Sequence, residues 1–384
     1  MIGKHSIVGN FPIVDLTQAV EFLDHQRQPV KQSDRKPGLY PYFGANGQQG
    51  TIDGFIFDEP LVLLAEDGGL FDQPDRGIAY RISGKTWVNN HAHVLRPKTN
   101  VDINYLTRVL ENYDVSPYLT GSTRAKLTKS GASRIGIPLP PLPEQRRIAA
   151  ILDQADALRR QRRRAIEKLD SLSQSIFLDM FGDPRSSLTH PQFPLDDLSV
   201  RKGEYGANVP SCEYSKNLPR YIRITDINDS GELNNDKVSP GKSRSAWKKF
   251  FLNSGDLLFA RSGATVGKTY LYQESDGLCV YAGYLIRFRL NQSRIDPRFA
   301  FAFTKTDAYL DWVTSKQRTV AQPNINAKQY GSELQVPLPP LPLQQEFARR
   351  VEKVEKLKAA QRRELAKLDE LFAALQQRAF KGEL

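Results

Sequence analysis

Two stretches of the chain carry a helical apolar stripe, and one is a copy of the other. In the first, Ile151, Ala155, Leu158, Arg162, Ala165, Leu169, Leu172 and Ile176 alternate by four and three residues. This is a heptad-like pattern broken by one arginine. In the second, Val354, Leu357, Gln361, Leu365, Leu368, Leu371 and Leu375 repeat it, with a glutamine at the matching break. The duplication begins upstream of the stripes. Ile137-Pro-Leu-Pro-Pro-Leu-Pro-Glu-Gln145 returns as Val336-Pro-Leu-Pro-Pro-Leu-Pro-Leu-Gln344, and the same offset of 199 places Lys168-Leu169-Asp170 on Lys367-Leu368-Asp369. Alternating prolines fix φ and lack an N–H donor, so Pro138 to Pro143 is predicted to be extended and stiff. Beyond Pro143 no proline occurs before Pro184, and none follows Pro342. The pattern predicts two helices of about 37 residues, roughly 55 Å long at 1.5 Å per residue. Each stripe needs a partner, and the economical solution is an antiparallel coiled coil of the two. The segments between the helices would then sit at its opposite ends, related by an approximate two-fold axis.

The rest of the chain reads as two α+β globules, over residues 1–136 and 184–335, with a lead-in and long helix after each, over 137–183 and 336–384. Short or alternating apolar runs such as Phe55-Ile56-Phe57 and Tyr284-Leu-Ile-Arg-Phe-Arg289 predict strands. The Gly44–Gly50 and Asn228–Asn235 clusters predict turns. Helices are expected over Thr17–Leu23, Ile103–Tyr113 and Arg298–Val313. The globules echo each other faintly: Leu63-Leu-Ala-Glu-Asp-Gly68 resembles Leu258-Phe-Ala-Arg-Ser-Gly263, and Val94-Leu-Arg96 resembles Leu285-Ile-Arg287. One scaffold with divergent surfaces suits two different recognition tasks.

Composition narrows the partner. Among 384 residues, 54 Lys and Arg oppose 43 Asp and Glu, a formal net charge of +11 that favours an anionic partner. No apolar run approaches membrane-spanning length and the N-terminus lacks a signal-peptide pattern, so nucleic acid is favoured over membrane. Two cysteines, Cys212 and Cys279, are too few for a disulfide framework and fit a reducing cytoplasm.

At this level the chain resembles the specificity subunits of type I restriction-modification systems. The resemblance rests on the two proline motifs opening long helices, on Tyr221-Ile-Arg-Ile-Thr-Asp-Ile227, on Gly255-Asp-Leu-Leu-Phe-Ala-Arg-Ser-Gly263, on Gln322-Pro-Asn-Ile-Asn326, and on Tyr40-Pro-Tyr-Phe-Gly-Ala-Asn46. It covers essentially the whole chain. It implies that the globules are target recognition domains, each reading one half of a bipartite, asymmetric site in double-stranded DNA. It also implies that the helices are spacers that dock two methyltransferase subunits, with restriction and translocase subunits completing the complex. S-adenosylmethionine, ATP and Mg are expected on those partners, and no cofactor on this chain. One departure stands out: Glu144 and Arg146-Arg147 become Leu343 and Gln345-Glu346 in the second copy.

Base edges are read by Arg, Lys, Asn and Gln, whereas phosphates are held by basic and hydroxyl side chains and backbone N–H groups. In the second globule these types gather as Tyr221, Arg223, Thr225, Arg261, Ser262, Thr265 and Lys268, beside Gly263 and Gly267, and as Gln322, Asn324 and Asn326. In the first they are Tyr42, Asn46, Asn90, His91, Thr123, Arg124 and Lys126, although the Gly44–Gly50 turn also suits a plain hairpin. The basic run Arg159–Arg164 reads as a solvated helix face. Gly263-Ala-Thr-Val-Gly-Lys-Thr269 falls one residue short of a phosphate-binding loop and lacks its first glycine. His91-Ala-His93 lacks further metal ligands nearby and reads as a strand end. No methyltransferase loop or nuclease constellation is evident, so no catalytic residue is expected. The rival readings are a coiled-coil adaptor that binds protein alone and a stand-alone nucleotide hydrolase or nuclease.

Overall fold

The proline motif of each copy is a strand that turns directly into a helix. Gly136–Pro138 and Gln335–Pro337 are short strands, and helices start at Leu142 and Leu341, running to Phe181 and Lys381. The expected stiff rod over 138–143 is therefore shorter than its prolines suggest. Pro143 lies in the first helical turn, where a missing N–H costs nothing. The structure is a computed structural model describing residues 11–72, 77–121, 124–186, 190–241, 243–317 and 323–384.

Packing groups the chain into two units, Met1–Arg163 with Arg363–Leu384, and Arg164–Arg362. Each unit takes the first part of one long helix and the last part of the other, whereas the sequence had set the helices apart as segments of their own.

In the first unit an antiparallel sheet orders Val20–Phe22, Ala92–Pro97, Leu61–Ala65 and Ala79–Ile82. In the second, Glu204–Tyr205, Leu285–Arg289, Asp256–Ala260 and Thr269–Leu271 repeat that order. Both central strands are continuous apolar runs because both faces are covered. Val62 and Leu64 enter one core while Leu61 and Leu63 enter another; Leu257 and Phe259 are likewise divided from Leu258 and Ala260. A parallel pair follows in each unit, Tyr40–Gly44 with Lys85–Val88 and Arg220–Ile222 with Cys279–Tyr281. The proline-motif strand closes each unit by pairing with Ile13–Asp15 or Gln192–Pro194.

The strand echo is real but slips by two residues. Leu63 pairs with Val94, and its counterpart Leu258 pairs with Arg287, so Val94-Leu95-Arg96 corresponds to Arg287-Phe288-Arg289. A slip of two keeps every side chain on its face, so hydrophobic patterning cannot detect it.

Within each unit the long-helix segments run antiparallel. In the first, Arg147 meets the Leu384 carbonyl at 2.9 Å and Arg159 meets Asp369 at 2.6 Å. In the second, the Phe177 and Phe347 rings lie 5.7 Å apart and Lys358 bonds Asp170. The inward stripe differs from the expected one. Leu158, Leu172, Leu357 and Leu371 are exposed at 41–56%, while their neighbours Arg159, Ser173, Lys358 and Phe372 turn inward. Ala155 and Val354 are buried as expected, and Ile151, Leu169, Ile176, Leu365, Leu368 and Leu375 are half-buried. The reason is electrostatic. Arg159 pairs with Asp369, and Lys358, 199 residues on, pairs with Asp170, the same contact made once in each unit. Charge compensation lets basic residues take seam positions that apolarity alone gave to leucine.

Three helix expectations change. Thr17–Leu23 is a single turn, Leu16–Ala19, followed by the strand Val20–Phe22. Arg298–Val313 breaks into Pro297–Phe303 and Asp307–Gln317. Ile103–Leu110 is helical, shorter than expected. Among the described residues no helix is long and apolar enough to cross a membrane.

The glutamine ending each proline motif is a clamp. Gln145 accepts from Asp102 N at 2.8 Å and donates to the Asn100 and Pro140 carbonyls. Gln344 does the same with Asp296 N at 2.8 Å and the Arg294 and Pro339 carbonyls. Asp102 and Asp296 in turn cap the helices Ile103–Leu110 and Pro297–Phe303. One buried amide thus fixes each long helix to its unit.

Candidate nucleic-acid interface

The residue after each central strand emerges from the sheet into the same backbone frame. In the first unit Glu66 N donates to the His91 carbonyl at 2.9 Å, Leu127 N donates to the Glu66 carbonyl at 2.8 Å, and Asp67 bridges Lys126. In the second unit Arg261 N donates to the Tyr284 carbonyl at 3.1 Å, Ile325 N donates to the Arg261 carbonyl at 2.8 Å, and Ser262 bridges Asn324. The glycines that follow, Gly68 and Gly263, have φ of 70° and 69°, a left-handed turn that glycine makes without strain. The same two backbone hydrogen bonds and the same bridge recur in both units while the side chains differ. Glu66, Asp67, His91 and Lys126 in one occupy the places of Arg261, Ser262, Tyr284 and Asn324 in the other.

The first edge is a network of opposed charges. Glu66 takes Arg27 at 2.6 Å and Lys126 at 3.2 Å, Asp67 takes Arg124 at 2.6 Å, and His91 lies 3.6 Å from Asp67. Asn46, on the Ala45–Asn46 hairpin turn, donates to the Gly68 carbonyl at 2.9 Å. Burial pushes the Glu66 carboxyl up, but Arg27, the charge on His93 and Lys126 outweigh it and hold it below the usual carboxylate range. Asp24 behaves alike: burial raises it, while His93, the Val94 N–H and Arg27 together bring it lower.

His93 lies beneath this edge, fully buried. Its Nδ1 is 2.7 Å from Asp24 Oδ2 and its Nε2 is 2.8 Å from the Leu127 carbonyl. Asp24, Glu66 and His93 are close enough to suggest a metal, with one ligand atom each within 4.8 Å. Arg27 lies 2.6 Å from Glu66 and 3.6 Å from Asp24, so here the trio is knit to a guanidinium in one network of charge and hydrogen bonds. His91-Ala-His93 stands at a strand end as expected, the strand Ala92–Pro97 beginning within it, and His93 anchors the edge from below.

The second edge is less crowded. The Arg261 guanidinium lies over the Tyr205 ring, 4.7 Å from its centroid, and Nε donates to Asn324 Oδ1 at 3.3 Å. Tyr284 is 61% exposed beside it.

The structure thus gathers Asn46, His91, Arg124 and Lys126 in one place, with Asn90 exposed next in sequence to His91, and Arg261, Ser262 and Asn324 in the other. Thr265 is tied to the second edge through the Ser262 carbonyl. Thr123 and Gln322 lie outside the described residues. Others lie elsewhere. Tyr42 and Tyr221 are buried, their hydroxyls engaged by Val30 and by the Ala207 and Val209 carbonyls, so they are matched packing residues with no edge to offer a groove. Arg223 is spent on Asp226, Thr225 is exposed on the same turn, Lys268 pairs with Asp229, and Asn326 exchanges hydrogen bonds with Gln329. A Cβ at Gly267 would meet Val313 at 2.6 Å, so that glycine serves helix packing, and the strand Thr269–Leu271 follows where a phosphate-binding loop requires a helix. Glu66, Asp67, Tyr205 and Tyr284 were missed. The strand echo held a signal for the first two, since it stops matching right after Ala65 and Ala260; the tyrosines had none.

The basic run is not one solvated face: Arg159 turns inward between Asp156 and Asp369, while Arg160 and Arg163, about half exposed, pair with the same two carboxylates.

A family model described as the type I restriction modification DNA specificity domain matches the chain twice, over residues 10–168 and 210–370. The specificity subunit of the type I restriction enzyme EcoDI from Escherichia coli is 24% identical over 385 residues, spanning 90% of this chain and 83% of that protein. The EcoKI specificity subunit of Escherichia coli K12 is also 24% identical, over 97% of this chain and 87% of its own. A putative type I specificity subunit of Haemophilus influenzae, S.HindORF215P, is 39% identical over 143 residues, 37% of either chain. Among solved structures, the type I restriction-modification S subunit from M. genitalium aligns with a TM-score of 0.62 at 15% identity, covering 97% of this chain and 96% of that one. A chain from a structure of the type I system concerned with complex assembly and conformational transition aligns at 0.53 and 16% identity, covering 98% and 99%. At these identities the structural likeness shows the fold.

Proposed function

The chain belongs to the type I restriction-modification DNA specificity family, and on that footing we propose that it binds double-stranded DNA at a bipartite, asymmetric site. The first unit reads one half-site and the second unit the other. The chain then directs adenine methylation or restriction by partner subunits and carries no catalytic group itself. One observation carries this reading: the same pair of backbone hydrogen bonds and the same bridge present Glu66, Asp67, His91 and Lys126 in one unit and Arg261, Ser262, Tyr284 and Asn324 in the other. A protein-only adaptor has no need to hold one frame constant while exchanging its polar side chains. The net charge of +11 supplies the sequence-independent attraction to phosphates.

Methyltransferase subunits dock on the long helices, where Leu158 and Leu357 are exposed at the same place in both copies, and two equal patches suit two copies of one partner. S-adenosylmethionine, ATP and Mg belong to the methyltransferase and restriction subunits.

Selection from a randomised duplex pool tests the proposal. The full chain, alone or with its modification partner, should enrich two blocks of fixed bases divided by unspecified ones. Enrichment of no sequence, with protein partners still bound, would establish the adaptor reading instead. Exchange of residues 1–136 for another recognition domain should rewrite one block only.

A further inference from the structure

Arg261 is held in a way that its counterpart in the first unit is not. Its guanidinium lies over the Tyr205 ring and its Nε is tied to Asn324, while backbone bonds to Tyr284 and Ile325 fix the residue on both sides. Tyr205 is itself anchored, its hydroxyl accepting from Ala327 N at 3.1 Å. One face and one edge of the guanidinium therefore serve orientation. Among the described residues its two Nη nitrogens have no partner. What remains is a planar fork of donors, already oriented, on a half-exposed side chain.

That fork has a specific complement. In the major groove guanine presents two acceptors, N7 and O6, at a spacing an arginine matches with two parallel hydrogen bonds; adenine presents one acceptor and one donor, thymine an acceptor and a methyl, and cytosine a donor. Only guanine satisfies both Nη groups. The same place in the first unit is Glu66, an acceptor-only carboxylate already engaged by Arg27 and Lys126. Lys126, in the place of Asn324, turns back onto Glu66, and an ammonium is a point charge without a fork.

We propose that Arg261 reads a guanine in the half-site recognised by the second unit, with Tyr205 and Asn324 as positioning residues that hold its fork. The first unit has no such guanine reader at the equivalent place. The inference rests on the DNA-reading function proposed above and assigns it a base.

A phosphate also fits an arginine fork, and the experiment must separate the two. The full chain, with its modification partner, selects duplexes from a randomised pool as wild type, Arg261→Lys, Tyr205→Ala and Tyr205→Phe. Wild type should fix a G·C pair in one half-site. Arg261→Lys should make that single position degenerate, with discrimination falling about ten- to hundredfold and every other position unchanged. Tyr205→Ala should loosen the same position, and the conservative Tyr205→Phe should rescue it. A uniform loss across all sequences, with the salt dependence shallower by about one phosphate contact, would assign Arg261 to the backbone and overturn the proposal. Wild-type half-sites without any G·C pair overturn it even if a variant fails to assemble. A bipartite selection indifferent to Arg261 overturns this inference alone, whereas a wild-type chain that selects nothing overturns it together with the function it rests on.

Discussion

Gln344 is fully buried and makes three hydrogen bonds, accepting from Asp296 N and donating to the Arg294 and Pro339 carbonyls. Truncation to alanine removes all three. Each is worth about 0.5–1.5 kcal/mol net, and the buried Pro339 carbonyl and half-buried Asp296 N–H left without partners push the sum upward. We expect Gln344→Ala to destabilise the second unit by about 3 kcal/mol, a large share of the roughly 5–15 kcal/mol that holds a domain together. Gln344→Glu should be at least as damaging. A carboxylate still accepts from Asp296 N, but it faces two carbonyls it cannot donate to and buries a charge. Hydrogen exchange followed by mass spectrometry reads the effect locally. Amides of the helix Pro297–Phe303 beyond its proline, and of the first turns after Leu341, should exchange about a hundredfold faster, at roughly 1.4 kcal/mol per tenfold. Ile103–Leu110 should not change. Gln145→Ala should give the mirror result, quickening Ile103–Leu110 and sparing Pro297–Phe303. A loss below about 1 kcal/mol, or equal acceleration in both units from either substitution, would refute the clamp.

Further expectations follow from the seam, the first edge and the net charge. Lys358→Ala should cost about 1–2 kcal/mol, since it leaves Asp170, 39% exposed, without its amine and takes one of two cations from Glu232, which Arg362 still holds, whereas Leu357→Ala on the exposed side should cost under about 0.5 kcal/mol. Equal costs in denaturant titration would restore the purely apolar stripe. Asp24 and Glu66 titrate below their unfolded values, so their contribution is complete above the ordinary carboxylate range, roughly pH 4, and is lost as pH falls through the lower folded values. Acid exchange should therefore open 24–27, 66–67 and 126–127 before the central strand, and Asp24→Asn should flatten that acid limb; an unchanged limb counts against the network. DNA affinity should fall steeply and linearly on a log–log salt plot, and a flat plot would rule out phosphate-dominated binding.

The duplicated plan was legible because the elements repeated in sequence make the same contacts twice. The proline motif recurs with its glutamine because that amide clamps a helix cap in each unit, and Lys-Leu-Asp recurs because its aspartate meets a basic residue of the other long helix. The seam was read one residue off. A four-three alternation fits two adjacent faces of a helix, and leucine at 158 and 357 outweighed Arg159 and Lys358 until their carboxylate partners were known. Chemistry at the edges was half legible. Arg261 and Ser262 follow a recognisable strand, but Tyr205 lies 56 residues earlier in the chain, and no local pattern announces its place under a guanidinium. Tyr42 and Tyr221 misled for the opposite reason, since an amphipathic ring fits a groove or a core equally well until its hydroxyl partner is seen.

The most direct test assigns each edge to its own block of bases. Duplex selection is run on the wild-type chain, on a variant with Glu66→Ala and Lys126→Ala, and on a variant with Arg261→Ala and Asn324→Ala. Each double substitution should degrade a different block and leave its neighbour intact. If both degrade the same block, or if the wild type fixes one uninterrupted run of bases, two unlike edges on a shared frame do not read the two halves.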